Sequence, residues 1–328
     1  MIAANGWVKE IRGRLARPVA IWGRGFSGRG AQNLLAARGV ASVVYDTADP
    51  LADTAVFGPE QASGHDLVVY SPGFNPDHPW FSVAEDADCV CLGELDLAAF
   101  FWRGPILAVT GTNGKTTLTE LLTHALGTAG RPALAVGNIG ASFSRIAACV
   151  TDTNVTAVCE VSSYQAESLQ VLNPDWTLWT NFAEDHLERH GDLRAYFRAK
   201  ANLVARAPMG RSLVGTDVVE TGRGLGISLE GIESVAGLPA EVGALAVGTP
   251  FAIGPQIQNL ALAAAWWRHQ DLPDEALGKA AQTFRIGRHR LESVATVDGV
   301  AYWDDSKATN FHACEAALAT IDGPVVWI

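Results

Sequence analysis

Short apolar runs alternate with stretches of helical spacing through the first hundred residues. Pro18-Val-Ala-Ile-Trp22 is the first run, a glycine turn follows it, and residues 31–38 then carry a helical pattern. Val43-Val44-Tyr45 and Leu67-Val68-Val69-Tyr70 are two more, each running into turn chemistry at Asp46-Thr47 and Ser71-Pro72-Gly73. Strands separated by helices predict a small parallel sheet, because parallel neighbours need crossover connections.

The pattern restarts at Arg103-Gly104-Pro105 with the strand Ile106-Leu-Ala-Val109 and another glycine loop. Strands over 155–159 and 176–179 and a helix over 192–206 follow. Residues 210–250 are rich in Gly and Val without helical period, which predicts short strands and turns. Residues 257–269 read as an Ala-rich helix. A last unit starts near Gly287, with strands over 291–297 and 300–303, a helix over 310–320, and Pro324-Val-Val-Trp-Ile328 as a buried strand. About 40 residues do not make an independent α/β domain, so this unit is expected to be the start of a truncated one. The expected domains are 1–103, 104–286 and 287–328.

Composition narrows the function classes. The chain is 48% hydrophobic, as a globular protein is, and 24 basic against 35 acidic side chains leave a net charge of −11. That balance opposes binding to a nucleic-acid backbone, which depends on clustered Lys and Arg. Apolar stretches such as residues 260–267 fall short of the roughly 20 residues of a membrane helix. Residues 1–18 interleave Lys9, Glu10, Arg12, Arg14 and Arg17 with apolar positions and hold no signal-peptide core. A cytoplasmic monomer without nucleic-acid or membrane partners is expected. Five cysteines without a CxxC indicate neither a disulfide framework nor a zinc ribbon.

Gly23-Arg-Gly25-Phe26-Ser27-Gly28 fits G-x-G-x-x-G between a strand and a helix, with Asp46 at the end of the next strand. Such a loop admits a pyrophosphate at a helix N-terminus while the carboxylate takes a nucleotide hydroxyl; a purely structural glycine turn is the other reading. Thr110-Gly111-Thr112-Asn113-Gly114-Lys115-Thr116-Thr117 lies in the same context. Its backbone suits phosphates, Lys115 the β/γ oxygens and the Thr116 hydroxyl Mg²⁺, although Val109 occupies the usual first-glycine position. Glu160 closes the strand over 155–159, where a further magnesium ligand is expected, and Thr180-Asn181 through Glu184-Asp185-His186 forms a polar cluster after the next strand. Lys200 borders the apolar stripe of its helix, which leaves a snorkelling, solvated lysine open as a reading. His289-Arg290 and Asp305-Ser306-Lys307-Ala-Thr309-Asn310 close the set.

In order and spacing these motifs, with Glu160-x-Ser162-Ser-Tyr-Gln165, Tyr196-x-x-x-Lys200 and Asn259, resemble the Mur ligases of bacterial peptidoglycan synthesis. The front end with Asp46-Thr47, Ser71-Pro72-Gly73 and Val136-Gly-Asn138-Ile-Gly140 is most similar to the members that add glutamate to UDP-N-acetylmuramoyl-L-alanine. The resemblance implies an α/β protein with a Rossmann-like N-terminal domain, a central P-loop ATPase-like parallel-sheet domain and the beginning of a third α/β domain. It departs at Ala48, where Arg commonly stands, at Tyr164 for Phe, and at Gly254-Pro255-Gln256 for a His-Asn pair.

The implied roles follow residue by residue. Gly111, Thr112, Asn113, Gly114, Lys115, Thr116, Thr117, Asn259, Arg290 and Asp305 would bind ATP, and Phe26, Ser27, Asp46, Thr47, Ser71, Gly73, Asn138, Ser162 and Thr309 the other substrates. Thr116, Glu160, His186 and a carbamylated Lys200 would hold Mg²⁺ at two sites; Lys115, His186, Lys200 and Lys307 would be catalytic. The implied reaction activates the L-alanyl carboxylate as an acyl phosphate, which the glutamate amine then attacks. D-glutamate is the expected acceptor; a sibling ligase using L-glutamate, or a non-catalytic nucleotide-binding remnant, is the alternative.

Overall fold

Four consecutive buried apolar residues suit a strand covered on both faces, and Val19–Trp22 (β1) is such a run. The computed structural model describes residues 4–252, 254–321 and 323–328, so the first three residues of the N-terminal stretch read above lie outside the described residues. In it β1 lies between Ser42–Tyr45 (β2) and Leu67–Tyr70 (β3), and Val90–Gly93 (β4) completes a sheet of order β2-β1-β3-β4. All its pairings are parallel, as the alternating pattern predicts. The order reverses between β1 and β3, so the loops that follow these two strands open at a topological switch point, the usual ligand position of such sheets.

Chain order then brings β5 (Ile106–Thr110), β6 (Ala133–Gly137), β7 (Thr156–Glu160), β8 (Trp176–Trp179), β9 (Ser212–Gly215), β10 (Ile232–Val235), β11 (Glu292–Val297) and β12 (Val300–Asp304). The chain divides into two compact units, residues 1–106 with 135–174 and residues 107–134 with 175–328.

In the first unit, Trp22 is fully buried among Phe57, Phe81, Trp80 and Phe74, with ring centroids 4.9, 5.1, 5.6 and 5.7 Å away. The helix Phe26–Ala37 leaves β1 through a very close turn: a Cβ on Gly28 would lie 1.8 Å from the Gly23 carbonyl oxygen, so only glycine fits there. The same helix packs on Phe143–Cys149 and Glu94–Phe101. β6 and β7 are neighbouring strands.

In the second unit β10-β9-β8-β5 follow one another, all parallel, with Thr110 opposite Trp179. The helix Lys115–Thr128 packs against Gln256–His269 and Asp274–Thr283. β11 and β12 form an antiparallel hairpin around Asp298-Gly299, both at positive φ, as a tight two-residue turn requires. Among the described residues, no helix is long and apolar enough to cross a membrane.

Two expectations need correction. Residues 210–250 hold two helices, Thr216–Gly224 and Ala240–Leu245, besides the short strands β9 and β10. Glycine there is selected by packing, which overrides its low helix propensity: a Cβ on Gly222 would lie 2.9 Å from the Phe197 ring. Residues 324–328 form no strand among the described residues and are exposed, because no neighbouring strand offers them a ladder.

Glu94 opens the helix Glu94–Phe101 and is buried; its Oε1 accepts from Ser144 N at 2.5 Å, while its Oε2 has no hydrogen-bond partner among the described residues. Burial pushes its carboxyl from 4.5 up to about 7. The native state therefore holds a proton between these values that the unfolded chain releases. This group's contribution to stability is complete at pH values below the window and declines as pH rises through it. Glu94→Gln should abolish that decline, so the urea midpoint of wild type should fall relative to the variant between about pH 5 and pH 7.5, by on the order of 3 kcal/mol at most. Parallel pH profiles for the two proteins would refute the assignment.

Candidate active site

The loop after β5 is shaped from beneath by donors that take its carbonyl oxygens. Lys200 Nζ donates to Gly111 O at 2.6 Å, and Lys115 Nζ folds back to donate to Gly111 O at 3.0 Å and Thr112 O at 2.8 Å. Thr180 Oγ1 and Asn181 Nδ2 donate to Asn113 O at 2.6 and 3.1 Å. Asn181 also accepts from the loop, from Thr112 N through its carbonyl and from Asn113 N through Oδ1. The register of β5 against β8 puts these partners in place, since Thr110 opposite Trp179 makes residues 180 and 181 the neighbours of residues 111–113.

The loop delivers Gly114, at φ +80°, as N-cap of the helix Lys115–Thr128, with no side chain capping it. Uncapped N–H groups and the helix dipole favour an anion at this end. Gly114 also has a steric reason, as a Cβ would lie 2.7 Å from Oδ1 of the buried Asn259. Thr117 is buried in the first turn and Thr116 half-buried beside it.

A cavity of about 200 Å³ opens in the second unit. Asn113, Gly114, Thr117, Asn259, Arg290 and Asp305, all expected from the sequence at ATP, line it together with Lys307, expected to be catalytic. Asp305 Oδ1 accepts from Leu291 N at 2.9 Å, and burial raises its carboxyl above the usual range. Next to it, Asp304 accepts from His289 Nδ1 at 2.6 Å, a bond that draws its carboxyl down to about 2. Thr309 is exposed and does not line the cavity.

Lys200 is 1% exposed, which removes the solvated reading; besides the Gly111 carbonyl, its Nζ lies 4.8 Å from the centre of the Tyr196 ring. Tyr196 joins it to His186, whose ring stands edge-on at 6.2 Å and lies between Asp185 at 3.7 Å and Glu188 at 3.6 Å. His186 is held at φ +53°, a conformation that non-glycine residues adopt rarely and that occurs preferentially at functional sites.

In the first unit, Glu160 is buried at the end of β7. Its Oε1 accepts from Asn138 Nδ2 at 2.9 Å, and its Oε2 has no hydrogen-bond partner among the described residues. A buried carboxylate oxygen left this way fits a hard cation, which wants oxygen donors. Ser162 caps the short helix that follows, paired with Gln165. Asp46 accepts from Arg24 N at 2.7 Å and from Ala48 and Asp49 N at 2.8 and 3.1 Å, bonds that hold its carboxyl below the usual range, the Arg24 one foremost. Phe26 and Thr47 are exposed, Ser27 is partly exposed, and Gly73 has open space around it. Ser71 Oγ is buried without a hydrogen-bond partner among the described residues.

The sequence reading missed His312 and Gln256, both of which line the cavity. Gln256 Oε1 accepts from Asn259 Nδ2 at 2.8 Å, a spacing of three residues on one helix that a pattern search could have found.

Residues 109–219 match the model of the Mur ligase middle domain, the segment that carries the loop, Glu160, His186 and Lys200. The UDP-N-acetylmuramoylalanine–D-glutamate ligase of Gloeobacter violaceus is 35% identical over 94% of this chain and 76% of its own length. The chain belongs to the Mur ligase family. The Frankia casuarinae ligase of the same name is 36% identical over 95% of the chain and 73% of its own length; for the Gloeothece citriformis ligase the figures are 34%, 85% and 66%. The chain thus spans about two thirds to three quarters of the length of these Mur ligases. Solved Mur ligases share the fold: UDP-N-acetylmuramate–alanine ligase of Thermotoga maritima superposes with a TM-score of 0.55 at 16% identity, over 93% of this chain and 77% of that one. The MurF ligase of the same organism, solved with ADP, gives 0.53 at 14%, over 82% and 75%.

Thr180→Val keeps the shape of the side chain and removes the donor to Asn113 O. Amide hydrogen exchange at residues 111–114 should then speed up by about tenfold, the worth of one hydrogen bond, while exchange in β1–β4 stays unchanged. Unaltered exchange in the loop would show that the hydroxyl does not hold it.

Proposed function

We propose that this chain acts in an ATP-dependent amide ligase that adds D-glutamate to UDP-N-acetylmuramoyl-L-alanine in peptidoglycan synthesis. The observation that carries the reading is the meeting of the uncapped helix end at Gly114 with Asn259, Arg290, Asp305 and Lys307 on one cavity. Similarity to the D-glutamate ligases over most of the chain supports the choice of acceptor. A three-domain organisation with boundaries near residues 103 and 286 belongs to the same proposal.

In this reading the L-alanyl carboxylate attacks the γ-phosphorus of ATP, ADP leaves, and the glutamate amine displaces phosphate from the acyl phosphate to form the amide. Lys115 and the N–H groups at the start of its helix bind the ATP phosphates, Arg290 and Lys307 add positive charge, and Asn259 meets the adenine. Magnesium ligation, at two sites, is assigned to Thr116, Glu160, His186 and a carbamylated Lys200. When bound, Mg²⁺ supplies charge that offsets repulsion between the anionic reactants. The UDP substrate is assigned to Phe26, Ser27, Asp46, Thr47, Ser71, Gly73, Asn138 and Ser162, and Thr309 to the glutamate side.

Lys115→Ala tests the phosphate loop: calorimetric titration should show ATP–Mg²⁺ affinity reduced by at least about tenfold, the loss of one charge-assisted contact, with the melting temperature little changed. A folded variant that binds ATP as tightly as wild type refutes the reading. The acceptor is tested by radiolabelled D- and L-glutamate offered with ATP, Mg²⁺ and UDP-N-acetylmuramoyl-L-alanine, where labelled product from the L-isomer alone would reassign it.

The carbamate at Lys200 has its own test. A carbamylated Nζ keeps one N–H, enough for the bond to Gly111 O. Burial favours the neutral amine that must react with CO₂, and a divalent cation then stabilises the product. Lys200→Ala should lose most activity and regain part of it in acetate or formate, which supply the missing oxygens. Loss with no rescue, in a folded variant that still binds ATP, would remove the carbamate.

A further inference from the structure

Asn113, on the phosphate loop, has a side-chain amide whose hydrogen-bonding capacity is taken up within the second unit. Its Nδ2 donates to Asn310 Oδ1 at 3.2 Å and to His312 Nδ1 at 2.9 Å, and its Oδ1 accepts from Asn310 Nδ2 at 3.1 Å. Asn310 is itself committed. It caps the helix Phe311–Leu318, with Oδ1 accepting from Ala313 N at 2.9 Å, and its Nδ2 also donates to Asp185 Oδ2 at 3.0 Å.

Each orientation dictates the next. The helix cap requires the oxygen of Asn310 at Ala313 N, because a flipped amide would set a donor against that N–H. With Asn310 so turned, Asn113 must present its nitrogen to Asn310 Oδ1 and its oxygen to Asn310 Nδ2. The second proton of Asn113 Nδ2 then has to find an acceptor, and the lone pair of His312 Nδ1 supplies it. In this arrangement Nδ1 of His312 is the acceptor and Nε2 the donor-bearing nitrogen.

We propose that His312 is a positioning residue for ATP binding: by accepting from Asn113 it locks the amide pair that ties the phosphate loop to the start of the helix Phe311–Leu318. The inference rests on residues 111–117 being the ATP phosphate loop, and it adds a residue which the assigned nucleotide contacts do not include. His312 borders the cavity beside Lys307 and Arg290, so a direct contact from Nε2 to the nucleotide is the competing role.

Two replacements separate these roles. Asn places its amide oxygen near the position of Nδ1, whereas Gln places a donor near the position of Nε2. ATP–Mg²⁺ affinity of the 328-residue chain would be measured by calorimetry for wild type, His312→Ala, His312→Asn, His312→Gln and Lys115→Ala, with a melting temperature for each. His312→Ala should weaken binding by about fivefold, as loss of one neutral hydrogen bond does, with His312→Asn within about twofold of wild type and His312→Gln no better than Ala. Binding by His312→Ala within twofold of wild type overturns the proposal, as does rescue by Gln equal to or better than rescue by Asn. Lys115→Ala keeps the two failures apart: if it is impaired while His312→Ala is not, only the role of His312 falls, and if it binds normally the loop assignment falls and the proposal with it.

Discussion

The carbonyl oxygen of Gly111 is the point on which the loop after β5 is built. Two lysine nitrogens reach it, from Lys115 in the following helix and from Lys200 in a helix 89 residues away in sequence. Burying a lysine nitrogen is costly unless it meets hydrogen-bond partners. Here the carbonyl at 2.6 Å is such a partner, with the face of the Tyr196 ring beside it, so the loop and the lysine each require the other. The remaining carbonyls follow the same logic, with Thr180 and Asn181 as donors brought alongside by the parallel register of β5 and β8.

The two glycine loops share the order strand, loop, helix, yet opposite electrostatics hold them. In the second unit, cations and amides take the loop's carbonyls, and the helix behind it starts without a side-chain cap. In the first unit a carboxylate takes an N–H: Asp46 Oδ2 accepts from Arg24 N, and Asp49 pairs with the Arg24 guanidinium at 3.0 Å. The two loops, with glycines at 23, 25 and 28 and at 111 and 114, are thus held by different chemistry.

Much of this was legible in the sequence, for identifiable reasons. β1 and β3 are unbroken apolar runs ending in turn residues, and β5 and β8 depart from that only at Thr110 and Thr177; a buried parallel strand has few other ways to be written. The strand–loop–helix unit at residues 106–128 was legible because glycine and lysine stand at fixed steps along one short segment after an apolar run. What failed depended on distance in sequence. The helix Thr216–Gly224 contains two glycines, one of them under Phe197, and no local pattern reveals that ring. Lys200 stands at the margin of an apolar stripe, where spacing leaves buried and solvated placements equally open; only the carbonyl of Gly111 decides between them. His312 meets Asn113 across 199 positions, and nothing at either position announces the other.

The departures from the family pattern can be judged by the same physical criteria. Gly254-Pro255-Gln256 stands where a His-Asn pair is usual, which from sequence alone removes an amide from the adenine side. In the folded chain the amide of Gln256 lies one helical turn before Asn259 and accepts from its Nδ2, and both residues border the cavity. The Asn259 amide lies flat against Gly114, with Oδ1 2.7 Å and Nδ2 2.9 Å from where a Cβ on residue 114 would sit, so any side chain there would collide with it. Gln256 thus fixes the orientation of the Asn259 amide, a choice that an isolated asparagine amide, with two ends of equal size, does not make by shape. The altered segment keeps an amide at work beside Asn259, one residue removed in role from where the motif would have placed it: it orients the neighbour.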